Sequence, residues 1–236
     1  MTADARSYSY HPRRTPSDPH LTVRPTSPLK GEEGLACMLW LVSPSVMNPL
    51  FLMLVGIVLF FGPHTYSALR SRHPGHDVRA RREGPYMLVY SLVSLAGLVV
   101  LVQGYQRWEG ADVIYQGAAW TYMVAAVVML PALVLFAAGN LPAGHIRHWI
   151  GHPMVLGTLL WAAVHLLTGF SARAALLFAP FAVWAALDFV LATRRVPKRS
   201  VPAVKWDVVA VVAGTGAYAA LVLGLHVRWF GVSPLG

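Results

Sequence analysis

The stretch PLFLMLVGIVLFFGPHTYSAL, from Pro49 to Leu69, decides the fold. It carries no Asp, Glu, Lys or Arg, and its apolar residues run continuously instead of alternating. A hydrocarbon core about 30 Å thick is crossed by about 20 residues of helix, whereas a membrane strand alternates over about ten. The segment therefore reads as a transmembrane helix. Working outward, five more segments carry the same signature: Tyr86 to Gln103, Ala119 to Gly139, Pro153 to Thr168, Ala174 to Ala192, and Asp207 to Leu225. The fourth is short. Backbone polar groups in lipid have to be satisfied within the segment, so continuous apolar runs predict helices and not a barrel. The expected fold is all-α, a polytopic transmembrane bundle of about six spans.

Composition agrees with that reading. The 236 residues are 56% hydrophobic and only 12% charged, with a mean hydropathy of +0.53. A soluble domain covers its surface with about 25% charged residues. This chain has too little charge for a water-facing globule, so the lipid bilayer is its main solvent. The formal charge of +9 is not a nucleic-acid signature, because the basic residues cluster between apolar spans. Cys37 is the single cysteine, which excludes an intramolecular disulfide and a cysteine-based metal site.

The N-terminal 46 residues differ in character from the rest of the chain. Tyr8 to Lys30 is rich in Pro, Ser, Thr, Arg and His and shows no helical or strand period, which predicts disorder. Leu35 to Val42 is too short to span, and no small-residue cleavage site comes cleanly after it. The expected organisation is an extension over residues 1–46, dispensable or the product of a mis-called start, and a membrane domain over 47–236 beginning at Met47.

Loop charges predict orientation. Eleven basic residues (Arg70, Arg72, Arg79, Arg81, Arg82, Arg147, Arg194, Arg195, Lys198, Arg199 and Lys205) fall on one side, and three (Arg107, Arg173 and Arg228) on the other. The positive-inside rule puts the first group in the cytoplasm and both ends of the membrane domain outside. Small residues recur in the spans, among them Gly97, Gly157, Gly214 and Gly216, and suit close helix contacts.

Ionisable groups within a bilayer are costly and are functional candidates by default. Here His64, His165 and Asp188 lie within spans, while His152, Asp207 and His226 lie at span ends. No paired carboxylates, serine triad, phosphate loop or cysteine cluster accompanies them, so the available chemistry is that of histidine. His64 comes directly after Pro63, which cannot donate to the Leu59 carbonyl, and is either a ligand or an interfacial histidine bonded to a backbone carbonyl. His165 has apolar neighbours on every side and needs a partner; neutral imidazole is a good metal ligand. His152 precedes Pro153 and could simply start a helix. Asp188 is spaced for a salt bridge to Arg194 or Arg195, and His145, His148 and His152 are a weak candidate metal cluster. Histidines on different helices without carboxylate or thiolate help suit haem iron better than zinc or magnesium. Phe60, Phe61, Tyr66, Tyr90, Trp161 and Trp184 could line such a pocket or serve as ordinary core.

Several stretches carry a resemblance. Leu59-Phe60-Phe61-Gly62-Pro63-His64-Thr65, Tyr90 to Leu98, and His152-Pro153-Met154 with Gly157, Leu160-Trp161-Ala162 and His165-Leu166 resemble the NnrU family of bacterial membrane proteins. Leu225-His226 with Gly231-Val232-Ser233-Pro234 fits the same pattern. That family also embraces the 15-cis-zeta-carotene isomerases. The resemblance runs from about Met47 to the C-terminus and implies a multi-pass protein of the bacterial inner membrane linked to denitrification, affecting nitrite and nitric oxide reduction. By way of the isomerases it also implies b-type haem, and a haem-dependent cis-trans isomerisation of an apolar polyene such as zeta-carotene. The haem ligands then fall on His64 and His165, with His152 as substitute, and the cysteine that the isomerases place three residues before the second ligand is Ala162 here. The alternative is a non-catalytic assembly, sensing or transport factor for denitrification without haem. At 1.5 Å per residue, His64 and His165 differ in depth by roughly 10 Å, and depth alone would pair His64 with His152 and His165 with His226.

Overall fold

A computed structural model describes residues 48–70, 76–110, 112–193 and 201–235. The expectations for residues 1–46, and the pairing of Asp188 with Arg194 or Arg195, lie outside the described residues.

The architecture is a helix bundle with nine helical segments among the described residues. In chain order they are α1 (Pro49–Leu69), α2 (Val78–Arg81), α3 (Glu83–Arg107), α4 (Ala119–Asn140), α5 (His145–Ile150), α6 (Pro153–Thr168), α7 (Ala172–Thr193), α8 (Val204–Ala220) and α9 (His226–Phe230). A π-helical turn, Leu221–Leu225, joins α8 to α9. Five stretches are long and apolar enough to cross a membrane, with α8 to α9 counted as one; α6 is apolar but shorter. The side chains turned away from the bundle are apolar too: Met123 and Val127 are each 73% exposed, which in water would be unfavourable and in lipid is not. The chain is a multi-pass membrane protein.

Helix ends obey local chemistry. Asn48 caps α1 by accepting from the Leu50 amide at 2.9 Å, and Pro49 occupies a first-turn position where its missing N–H costs nothing. The helix continues through Pro63. Pro153 likewise opens α6, and Gly169 closes it with φ 135, a conformation that side chains with a Cβ resist. The ends divide into two sets. One, the arginine-rich end, holds the C-termini of α1, α4 and α7 and the N-termini of α3, α6 and α8. The other holds two short strands, β1 (Val113–Gln116) and β2 (Gly169–Ser171), paired antiparallel with Tyr115 opposite Phe170. An all-helical reading did not anticipate this ribbon, because each strand is too short to carry a period.

Packing relies on small residues. A Cβ on Gly56 would lie 2.5 Å from the Leu101 amide nitrogen, and one on Gly97 would lie 2.5 Å from that of Phe60. With only hydrogen at these positions, α1 and α3 approach closely enough to bury Met53 and Leu101 completely. Gly157 and Gly214 play the same part against α4, whereas Gly216 meets open space. α4 packs on α6 and α8, and α7 packs on α6 while bridging to α1 and α3. The central cluster of Met53, Phe61, Leu101, Ala162 and Phe181 sits where these layers meet.

Candidate functional site

Helix α6 projects Trp161 and His165 one turn apart on a single face. The ring of His165 stacks on Phe178 of α7 at 4.4 Å and lies 6.4 Å from the ring of His226, their planes 27° apart. The chain reaches this arrangement by breaking its last helix. Gly224 adopts φ 152 and ψ −21, outside helical space, so that the short α9 starts afresh at His226. Both rings open into an apolar cavity of about 840 Å³, lined by residues of α3, α4, α6, α7, α8, the π-helical turn, α9 and the β-ribbon. Cavities that hold cofactor-sized ligands span about 300–1,000 Å³.

Hydrogen bonds fix the chemistry of the rings. Nδ1 of His165 lies 2.7 Å from the carbonyl oxygen of Trp161, and Nδ1 of His226 lies 2.8 Å from that of Val232. A carbonyl only accepts, so each Nδ1 carries the proton and donates it. With Nδ1 used in this way, the neutral form of either ring has its lone pair at Nε2, the tautomer that ligates metals. Among the described residues nothing donates to either Nε2.

His64 uses the same device in a different place. Its Nδ1 donates to the Phe60 carbonyl at 2.6 Å, and its ring stacks on Phe60 at 4.4 Å with Tyr90 and Trp184 at 5.0 and 5.3 Å. Asp188 lies within electrostatic reach of both His64 and Tyr90. This box stands toward the arginine-rich end and does not open into the large cavity. Ring contacts join the two sites through Phe60, Phe181 and Trp161, at 5.1, 5.4 and 5.3 Å in succession to His165, and a parallel path reaches Phe181 through Trp184 and Phe61. The structure thus brings His165 to His226 and leaves His64 on the far side of an aromatic layer. His152 precedes α6, about 20 Å along the axis from His165.

Asp207 takes a structural part. Asp207 accepts from the amides of His145 and Ile146 at 2.8 and 2.9 Å and from Nδ1 of His145 at 2.8 Å, tying the start of α5 to α8. Among the described residues no three His, Cys, Asp or Glu side chains gather at one point. Two contributors escaped the sequence reading. Arg173, counted there only as a loop charge, lies in the cavity wall. Phe178, which carries the His165 ring, sits in an apolar run that gives no sign of it.

No curated protein and no solved structure gives a significant match to this sequence. One family model does, that of the NnrU protein, over residues 52–234. The match covers all of the spanning helices except the first three residues of α1, together with both histidine sites, and the chain belongs to the NnrU family.

Proposed function

We propose that this NnrU-family protein binds b-type haem in the cavity, with His165 and His226 as the iron ligands. The carrying observation is the fit of the histidine pair. Two imidazoles line one apolar cavity with ring centroids 6.4 Å apart, close enough that one bound metal ion would be within reach of both. The cavity volume suits a porphyrin, and Trp161, Phe170 and Phe178 offer aromatic surface to it. Bound haem would supply one-electron chemistry at the iron, tuned by its two imidazoles. The protein's own part would be to bring the two rings to one apolar cavity and to fix the tautomer through the Trp161 and Val232 carbonyls.

Such a haem supports the denitrification role that the family resemblance suggests, as a redox or assembly component for nitrite and nitric oxide reduction at the bacterial inner membrane. The aromatic, apolar wall also favours a second reading, in which the cavity takes a polyene for cis-trans isomerisation beside the iron.

The test is a reduced-minus-oxidised absorption spectrum of the purified protein with His165→Ala, His226→Ala and His64→Ala. The expected result is a b-type spectrum lost or shifted to high spin in the first two variants and retained in the third. Loss in His64→Ala with an unaltered His226→Ala would move the second ligand to His64. A well-folded protein without haem after reconstitution would remove the haem reading.

A further inference from the structure

Among the described residues that line the cavity, Arg173, the second residue of α7, is the one fixed charge, and none is Asp or Glu. Its Nη1 donates to the Trp108 carbonyl at 2.8 Å, and its guanidinium sits over the Tyr105 ring, 4.9 Å from the centroid. These two contacts hold the side chain in the wall. A cation that merely reached for headgroups would need neither a carbonyl acceptor nor a ring beneath it. A guanidinium carries five N–H donors. One is used, and among the described residues no carboxylate pairs with the group. A half-buried guanidinium with donors to spare, on an otherwise uncharged wall, is matched best by a carboxylate, which accepts two parallel hydrogen bonds from the fork.

We propose that Arg173 anchors the carboxylate of an otherwise apolar ligand in this cavity. Two sources share that chemistry: the propionates of a haem, and the head of a long-chain fatty acid. The haem source rests on the haem reading above, and the fatty-acid source does not. A pure hydrocarbon polyene would leave the guanidinium unmatched, so the inference narrows what the site accepts.

The experiment compares acid with ester, using the full chain in detergent and quenching of its tryptophan fluorescence. One arm titrates haemin against haemin dimethyl ester, and the other oleate against methyl oleate. Wild type is expected to bind the acid about tenfold or more tightly than the ester in at least one arm, the scale of a charge-assisted hydrogen bond. Arg173→Gln is expected to bring that ratio to about twofold, and Arg173→Lys to leave an intermediate ratio because it keeps the charge and loses the fork. Arg228→Gln, exposed on α9, should leave the ratio unchanged. Equal binding of acid and ester by wild type in both arms overturns the proposal without any variant having to fold. So does a ratio that survives in Arg173→Gln, or an absence of binding in both arms. A preference for oleate with no haemin binding would uphold the anchor while removing the haem reading.

Discussion

Replacing Gly97 by alanine tests whether close approach of α1 and α3 carries the His64 box. The added Cβ would lie 2.5 Å from the Phe60 amide nitrogen and 2.7 Å from the Leu59 carbonyl carbon, both backbone atoms that no rotamer change can move. Non-bonded heavy atoms rest about 3.5–4.0 Å apart, so α1 has to withdraw by about 1 Å. Overpacking of this kind costs about 1–3 kcal/mol. Alanine returns about 0.5–1 kcal/mol because it is the better helix former. The net loss against wild type is then at most about 2.5 kcal/mol, and against a control that gains the same propensity it is the full cost of about 1–3 kcal/mol. Gly216→Ala on α8 is the matched control, since its Cβ would meet nothing within 4 Å. Thermal unfolding in detergent should rank Gly97→Ala below wild type and Gly216→Ala at or above it. Phe60 stacks on His64, so the same withdrawal should disturb the His64, Tyr90 and Trp184 contacts and spare the His165–His226 pair. Gly97→Ala as stable as Gly216→Ala would refute the packing argument.

Gly224→Ala should weaken haem or other ligand binding more than it lowers stability, because φ 152 at this position starts α9 at His226; unchanged affinity would sever that link. At the arginine-rich end, Asp77 caps α2 and pairs with Arg70 at 3.1 Å. Partial burial pushes its carboxyl up, but the amides of Ala80 and Arg79 and the Arg70 guanidinium together hold it below the ordinary carboxylate range. A depressed folded value means that the cap is at full strength above the unfolded value, about 3.9, and is lost as pH falls through the folded one. Hydrogen exchange at residues 78–82, corrected for intrinsic rates, should stay protected at pH 4 and open only below it. Asp77→Asn should show no such acid transition. Fusion of alkaline phosphatase after Gly236 should give active enzyme if both ends of the membrane domain face outward; an inactive fusion would reverse the orientation.

The spans were legible because lipid leaves one solution for a continuous apolar run. Pro49–Leu69 begins and ends where the sequence puts it, and Pro153–Thr168 is as short as it reads. Of the helices that sequence missed, α2 is a single turn capped locally by Asp77 and too short to carry a period, and α5 is held by a side chain distant in the chain. Asp207 caps α5 from 61 residues away, a partnership that no local pattern announces. The same limit applies to the site. Single histidines in lipid stand out as costly, so His64, His165 and His226 could all be named from sequence. Which of them meet depends on the break at Gly224 and on the aromatic layer of Phe60, Phe181 and Trp161, and both are tertiary facts. Arg173 was visible only as a loop charge because its meaning lies in the uncharged wall around it.

The shared geometry of the three histidines bears on what that wall is for. An imidazole buried only for packing could satisfy one nitrogen from its own helix and cover the other with carbon. His64 and His165 both satisfy Nδ1 on the carbonyl four residues back, and His226 does so on Val232. In the cavity pair both Nε2 lone pairs lack a protein donor among the described residues. Here the two open lone pairs are the histidine atoms left to face a shared apolar space, beside a cation with spare donors. A ligand that offers an electron-pair acceptor to Nε2 and an anion to Arg173 would relieve both deficits at once. Haem does so with its iron and its propionates, a fatty acid relieves only the second, and a hydrocarbon relieves neither. The acid-against-ester comparison therefore separates three occupants of one cavity.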